Sequence, residues 1–182
     1  MKRCFWAENV PAIYQVYHDE EWGRPLHDDT KLFEMLVLEG AQAGLSWLTV
    51  LKKRQAYRQA FDGFDVAKVA AYDAQKQAEL LQNPGIIRNR LKIAAAVLNA
   101  VAVQKIQREF GSFDAYIWHF TEGKTMRFNV FPLPAKNALS DAISKDMKKR
   151  GMKFVGSMII YSYLQAIGVI DDHEPTCFLH QN

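Results

Sequence analysis

Met147-Lys148-Lys149-Arg150-Gly151-Met152-Lys153-Phe154-Val155-Gly156-Ser157 is the stretch whose reading decides the fold. Its chemistry describes a helix that stops at Gly151, a residue able to take the left-handed conformation at a helix end. A tight hairpin with a second glycine, Gly156, follows, and Ser157 opens an apolar helix. Backbone N–H groups at the start of that second helix suit a phosphate, and the flanking lysines add charge without reading sequence. Two readings are open at this point: a helix-hairpin-helix element that grips a DNA backbone, or an ordinary corner between two helices.

Working outward, Gly, Pro and short polar residues cut the rest of the chain into helical pieces. Helices are predicted over 12–21 and 30–43, the latter with Leu32, Phe33, Leu36 and Gly40 on its inner side. Ser46 caps a helix from Trp47 to about Phe61, Asp65 begins one over 65–71, and 74–82 precedes the break at Asn83-Pro84-Gly85. Residues 88–109 are apolar around much of a helix's circumference, which places that helix at the centre of the fold. A helix over 113–120 leads into the least regular stretch, 121–136, a loop or a short extended pair. Ser140 then caps 141–149, and the helix opened by Ser157 ends near Gly168. Strand alternation is almost absent. The expectation is one all-α domain over residues 1–182, with the hairpin element at about 141–168.

The bulk numbers agree. A chain of 182 residues, 49% hydrophobic and 24% charged, can bury a substantial core. No apolar run is long enough to span a bilayer, so no membrane partner is expected. The first twenty positions lack a signal-peptide pattern, which predicts a cytoplasmic, reducing location. With only Cys4 and Cys177 present, a disulfide framework is not expected there. The net charge of +3 is compatible with binding a polyanion but does not demand it. Basic residues gather at Lys52-Lys53-Arg54, Arg88-Arg90-Lys92 and Lys148-Lys149-Arg150-Lys153, each read as lying near a helix end. Phosphate contact and plain solvated surface compete for each cluster.

Two further constellations carry possible chemistry. Cys4 and His18 lie near one end of the chain, His173 and Cys177 near the other. Two thiolates and two imidazoles form a closed shell of the kind structural zinc prefers, and such a site would staple the termini. Without a C-x-x-C knuckle, two ordinary buried cysteines beside unrelated histidines fit the spacing as well. The second constellation surrounds Glu39, which shares a helical face with Leu32 and Leu36, whereas Glu34 points well away from it. An acid on an apolar stripe loses solvation and needs a partner or a ligand. Tyr14, Tyr17 and His18 share another helical face, and Trp6, Trp22 and Trp47 add flat polarizable surface. The competing reading is aromatic core packing, with Glu39 capping a helix or pairing with an arginine.

Several long segments, in order, resemble the DNA-3-methyladenine glycosylase I family of the helix-hairpin-helix glycosylase superfamily. They are R-C-F-W at 3–6, Y-H-D-E-E-W-G at 17–23 and L-F-E-M-L-V-L-E-G-A-Q-A-G-L-S-W-L-T-V-L-K-K-R at 32–54. G-I-I-R-N-R-L-K-I at 85–93, K-K-R-G-M-K-F-V-G at 148–156 and D-D-H-E-P-T-C at 171–177 complete the set. The resemblance covers nearly the whole chain. It implies an all-α helix-hairpin-helix DNA glycosylase fold with one structural Zn2+, held by Cys4, His18, His173 and Cys177, joining the termini. It further implies a pocket for a methylated base in which Glu39 is the catalytic carboxylate and Tyr17 a hydrogen-bonding partner. Trp47 would stack on the base, with Trp6, Tyr14 and Ser162 completing the wall. Gly44, Leu45 and Ser46 would meet the gap left by the extruded base, Leu45 as the wedge, while Lys153 and Gly156 of the hairpin hold the backbone.

The function so implied is removal of flipped-out 3-methyladenine from alkylated double-stranded DNA. The enzyme would be a monomer in the cytoplasm of a bacterial-type cell, nucleoid-associated when acting on DNA. Relatives that also cut the strand place a lysine just after the hairpin, where Met158 stands here, so no lyase activity is expected. Asp171 and Asp172 immediately precede an implied metal ligand and are left outside the catalytic set. The alternatives are a non-enzymatic, zinc-stapled domain that binds damaged DNA, and more remotely a zinc-dependent hydrolase of small molecules.

Overall fold

Short polar side chains set most of the helix starts. Asp28, Ser46, Asp65, Asp73, Asn89, Ser112 and Asn137 each accept the backbone N–H three residues on, satisfying donors that a first helical turn leaves open. The computed structural model describes residues 1–181, and no strand occurs among them. The helices are α1 (Ala12–Glu20), α2 (Asp29–Gln42), α3 (Trp47–Ala60), α4 (Val66–Ala70), α5 (Ala74–Gln82), α6 (Arg90–Phe110), α7 (Phe113–His119), α8 (Ala138–Lys149) and α9 (Ser157–Ala166). Single 3-10 turns lie at Phe5–Ala7 and Asp62–Phe64. The predicted all-α class is correct. No helix among the described residues is long and apolar enough to cross a membrane.

Two helix starts differ from the sequence reading. The cap of α8 is Asn137, and Ser140 sits at the third helical position as its reciprocal partner. Asn137 Oδ1 accepts from Ser140 N at 2.9 Å while Ser140 Oγ accepts from Asn137 N at 3.0 Å, a closed capping box. For α9, Gly156 occupies the cap position with no side chain to offer, and Ser157 is the first helical residue. Its hydroxyl instead meets Ser140 Oγ at 2.9 Å, tying the starts of α8 and α9 together.

Helix α6 is central as expected, packing on α2, α4, α5 and α7, but α2 is the more completely buried of the two. Residues Leu32 through Ala41 of α2 are all buried, Glu34 and Glu39 included, whereas Leu91 and Leu98 of α6 are exposed. Glu34 tolerates this because Arg54 Nε and Arg58 Nη2 of α3 reach its Oε1 at 2.5 and 2.9 Å. A buried carboxylate paired in this way avoids most of its desolvation penalty. The same pairing corrects the basic clusters: Lys52-Lys53-Arg54 lies in the body of α3, and Arg150 is engaged by Glu109 and Asp146.

Segment 121–136 forms no strand pair. It is tied down by an isolated parallel bridge between Met126 and Ile170 and by Thr125 Oγ1 donating to Gly168 O at 2.9 Å. Gly168 closes α9 against the chain at Arg24-Pro25: its φ is +72°, and an added Cβ would lie 2.1 Å from the Arg24 carbonyl carbon. Gly63 has a similar φ of +66° but open space around it. Gly168→Ala should therefore cost more than about 4 kcal/mol and lower the melting temperature sharply. Gly63→Ala carries only backbone strain and should cost about 1 kcal/mol. Equal thermal shifts for the two would contradict this packing.

Candidate functional site

One cavity of about 190 Å³ collects side chains from both ends of the chain. The first 3-10 turn supplies Trp6, α1 supplies Tyr14 and Tyr17, α2 supplies Glu39 and Gln42, and α3 supplies Trp47. Ser162 and Gln165, one turn apart on α9, line it together with Trp22 and Leu133. Every residue that the sequence assigned to base contact thus borders one cavity. The aromatic wall is continuous: Trp6 lies 5.3 Å from Tyr14 and 5.0 Å from Trp22, and Tyr17 lies 5.3 Å from Trp47.

Glu39 is the acid in this wall, and it is unpaired. Its side chain is 4% exposed, yet Oε2 has no hydrogen-bond partner, and the indole Nε1 of Trp47 is equally without one. Burial with no compensating donor pushes the Glu39 carboxyl up to about 8. Glu39 in turn raises the phenols of Tyr14 and Tyr17, after the larger effect of their own burial. Two buried polar atoms on one cavity wall, an acceptor and a donor, call for a ligand able to satisfy both. An aromatic-lined cleft whose buried carboxyl ionises when positive charge enters favours a flat cation or a flat donor of hydrogen bonds.

Three of the four implied metal ligands come together, with the fourth, His173, beside them. Nε2 of His18 and the sulfurs of Cys4 and Cys177 lie within 4.8 Å of one another, all buried, and both cysteines are free. His173 is the neighbour of this group, its ring 5.3 Å from that of His18. Its Nε2 is buried without a partner. Each histidine offers its other nitrogen to a carboxylate: His18 Nδ1 to Asp19 at 2.8 Å and His173 Nδ1 to Asp171 at 2.6 Å. That arrangement fixes the tautomer with a lone pair at Nε2, which at His18 accepts from Cys4 N at 3.3 Å and at His173 has no partner. A soft, closed donor set of this composition fits zinc. Asp171 also accepts from Arg127 Nε at 2.9 Å, and Asp172 accepts from Tyr161 and Gln165, so neither is free to act in the cavity.

The residues assigned to DNA lie outside the cavity. Gly44, Leu45 and Ser46 form the exposed link between α2 and α3; Leu45 is 42% exposed and Gly44 has a φ of +77°. Ser46 Oγ is committed to the start of α3, accepting from Thr49 N at 3.2 Å. Lys153 is exposed at the tip of the α8–α9 hairpin, and Gly156 has open space where a Cβ would stand. A second cavity, lined by Glu39, Gln42, Gly44, Leu45, Met158 and Ser162 among others, joins this surface to the first. Sequence reasoning missed Gln42, Leu133 and Gln165. Gln42 was detectable as the residue three beyond Glu39, on the same face of α2.

The chain matches the family described as methyladenine glycosylase over residues 6–180. It is 46% identical over 180 residues to the DNA-3-methyladenine glycosylase 1 of Escherichia coli (strain K12), covering 97% of this chain and 96% of that protein. A crystal structure of 3-methyladenine DNA glycosylase I superposes with a TM-score of 0.94 at 46% identity, covering 99% of this chain and 100% of that one. A tyrosine-to-phenylalanine variant of a 3-methyladenine DNA glycosylase I, solved in complex with 3-methyladenine, gives a TM-score of 0.94 at 36% identity. That match covers 100% of this chain and 99% of the other.

The unpaired carboxylate sets a pH dependence. Because burial raises Glu39 above its unfolded value of 4.5, its neutral form is compatible with the fold at low pH. Stability is lost progressively as the pH rises through about 8, where the charge must be buried. Glu39→Gln removes that charge. The variant should melt close to wild type near pH 4.5 and several degrees higher at pH 8 and above, with the gap opening between pH 4.5 and about 8. A gap that shrinks as the pH rises would show that Glu39 has a partner in the folded protein.

Proposed function

The chain belongs to the methyladenine glycosylase family and is an N-glycosyl hydrolase, and on that basis we propose how it acts: it draws 3-methyladenine out of alkylated double-stranded DNA into the aromatic cavity and hydrolyses its bond to deoxyribose. The observation that carries this reading is Glu39, a buried carboxylate with no protein partner in an aromatic wall. Adenine methylated at N3 is cationic while joined to the sugar. Its faces are attracted by Trp47 and the neighbouring rings, by about 0.5–2 kcal/mol depending on desolvation. Entry of the cation makes the ionised form of Glu39 favourable again, and the carboxylate accepts a charge-assisted hydrogen bond from the exocyclic amine. Neutral adenine gains neither effect.

The cationic base is a good leaving group, so the enzyme needs little acid catalysis. As the bond breaks, positive charge moves to the sugar, and the Glu39 carboxylate stabilises it electrostatically. Flipping costs a few kcal/mol, least for a base that pairs poorly. Leu45, carried on the flexible backbone of Gly44, fills the gap in the stack, and the α8–α9 hairpin holds the backbone. The start of α9 suits that role because Gly156 offers no side-chain cap to compete for its N–H groups. No lysine lines either cavity, which supports hydrolysis without strand cleavage. The protein acts as a monomer on nucleoid DNA.

Cys4, His18, His173 and Cys177 hold one structural zinc in this reading. Held by these four residues, an ion would join the termini and supply stability rather than a reacting group. Metal analysis should find one zinc per chain, and chelation should lower the melting temperature. Base release by protein that is still folded should be unchanged; prompt loss of activity at constant fold would make the metal catalytic.

The function is tested on duplexes carrying a single 3-methyladenine. Wild type should release the free base, and Glu39→Gln should lower kcat by about 10²–10⁴-fold. Borohydride should trap no enzyme–DNA adduct. Equal release by the two proteins would remove Glu39 from the chemistry, release by neither would leave a binding module, and a trapped adduct would mean lyase chemistry.

A further inference from the structure

The link between α2 and α3 and the hairpin between α8 and α9 are both held from one face of α6. Lys92 lies in the first turn of α6 and Asn99 seven residues on, roughly 10 Å along the axis. Lys92 Nζ donates to Ala41 O at 2.8 Å and to Ala43 O at 2.6 Å. These carbonyls stand at the end of α2, where no later helical N–H can reach them. The amine is turned inward, and burial lowers its pKa below the ordinary lysine value.

Asn99 is 4% exposed and closes both sides of one hairpin residue. Its Nδ2 donates to Lys153 O at 2.9 Å, and its Oδ1 accepts from Lys153 N at 2.8 Å. Between the two contacts α2 touches the hairpin directly: a Cβ on Gly40 would come within 3.2 Å of Phe154 Cβ. The seam around Gly40, Lys92, Asn99 and Phe154 holds only about 10 Å³ of free space, so it has little slack. Neither Lys92 nor Asn99 lines the aromatic cavity.

We propose that Lys92 and Asn99 are positioning residues that form a two-point clamp, setting the separation between the Leu45 link and the 151–156 hairpin. The inference rests on the function proposed above, in which one segment wedges the duplex while the other anchors its backbone. Those two tasks act on the same DNA at once, so their spacing must match the duplex before a base is drawn out. Small displacements of a positioning group carry large losses in rate. Lys92, the most inward member of its basic cluster, therefore serves DNA binding through the carbonyls it holds and not through a phosphate.

Binding of free base and binding of DNA separate the possibilities. Lys92→Met, the milder Lys92→Gln and Asn99→Leu are compared with wild type. Free 3-methyladenine is followed by tryptophan fluorescence, and a duplex with a tetrahydrofuran abasic analogue by its Kd across a salt series. Each variant should keep its affinity for free base within about twofold while binding the duplex about tenfold more weakly. The slope of log Kd against log salt should be unchanged. Duplex affinity within about twofold of wild type, or parallel loss of both affinities with the melting temperature, would overturn the clamp. A slope smaller by about one for the Lys92 variants would also overturn it, making Lys92 a phosphate ligand. If wild type releases no base from alkylated DNA, the proposed function fails, yet the duplex measurements still decide the clamp.

Discussion

Helix α2 is closed in by other elements along its middle, and the burial forces each of its two internal acids to find a solution. Glu34 solves it with Arg54 and Arg58. Glu39, barely more than a turn further along, has no such partner and faces a ring of aromatic side chains instead. An unpaired buried carboxylate is costly, and a fold keeps one where a ligand completes it. The rest of the molecule can be understood from that position. Helices α3 and α9, packed on α2, bring Trp47, Ser162 and Gln165 to Glu39, and α1, packed on α3, adds Tyr14 and Tyr17. The end of α2 leads directly into the exposed Gly44-Leu45-Ser46 link.

The metal cluster and the cavity share the same short segments. Cys4 lies two residues from Trp6, and His18 is next to Tyr17, so whatever fixes the cluster also fixes two sides of the aromatic wall. Trp22 touches both, with its ring 4.8 Å from His173 and 5.0 Å from Trp6. A structural ion bound at this place would stabilise more than frayed ends. It would hold the first twenty residues against the α9 side of the cavity, where Ser162 and Gln165 stand. Scaffold and recognition are therefore coupled, although no chemistry passes between them.

Much of this was legible in the sequence for local reasons. Caps at Ser46 and Asp65 and the break at Asn83-Pro84-Gly85 announce helix boundaries through backbone hydrogen bonding alone. Glu39 stands out because it violates the apolar pattern of its own helix. What was not legible depends on distant partners. Glu34 reads as lying off the apolar stripe, and only two arginines of α3 placed beside it show that α2 is buried on that side too. Leu133 and Gln165 reach the cavity only through tertiary packing. Lys92 reads as one more member of a basic cluster, and only the carbonyls of Ala41 and Ala43 reveal its inward direction. The four implied metal ligands were legible as a set only through family resemblance; the carboxylates beside the two histidines were not assigned that place.

The central claim is that a buried carboxyl inside an aromatic cavity, ionised by the arrival of positive charge, selects a cationic adenine. It is tested most directly by identifying the bases that the protein liberates from DNA treated with a methylating agent. The account predicts that 3-methyladenine dominates the released material, with unmodified adenine absent. Release of mainly 7-methylguanine, whose edge carries an oxygen where adenine has its amine and so would oppose the Glu39 carboxylate, would contradict it, as would release of unmodified adenine at a comparable rate.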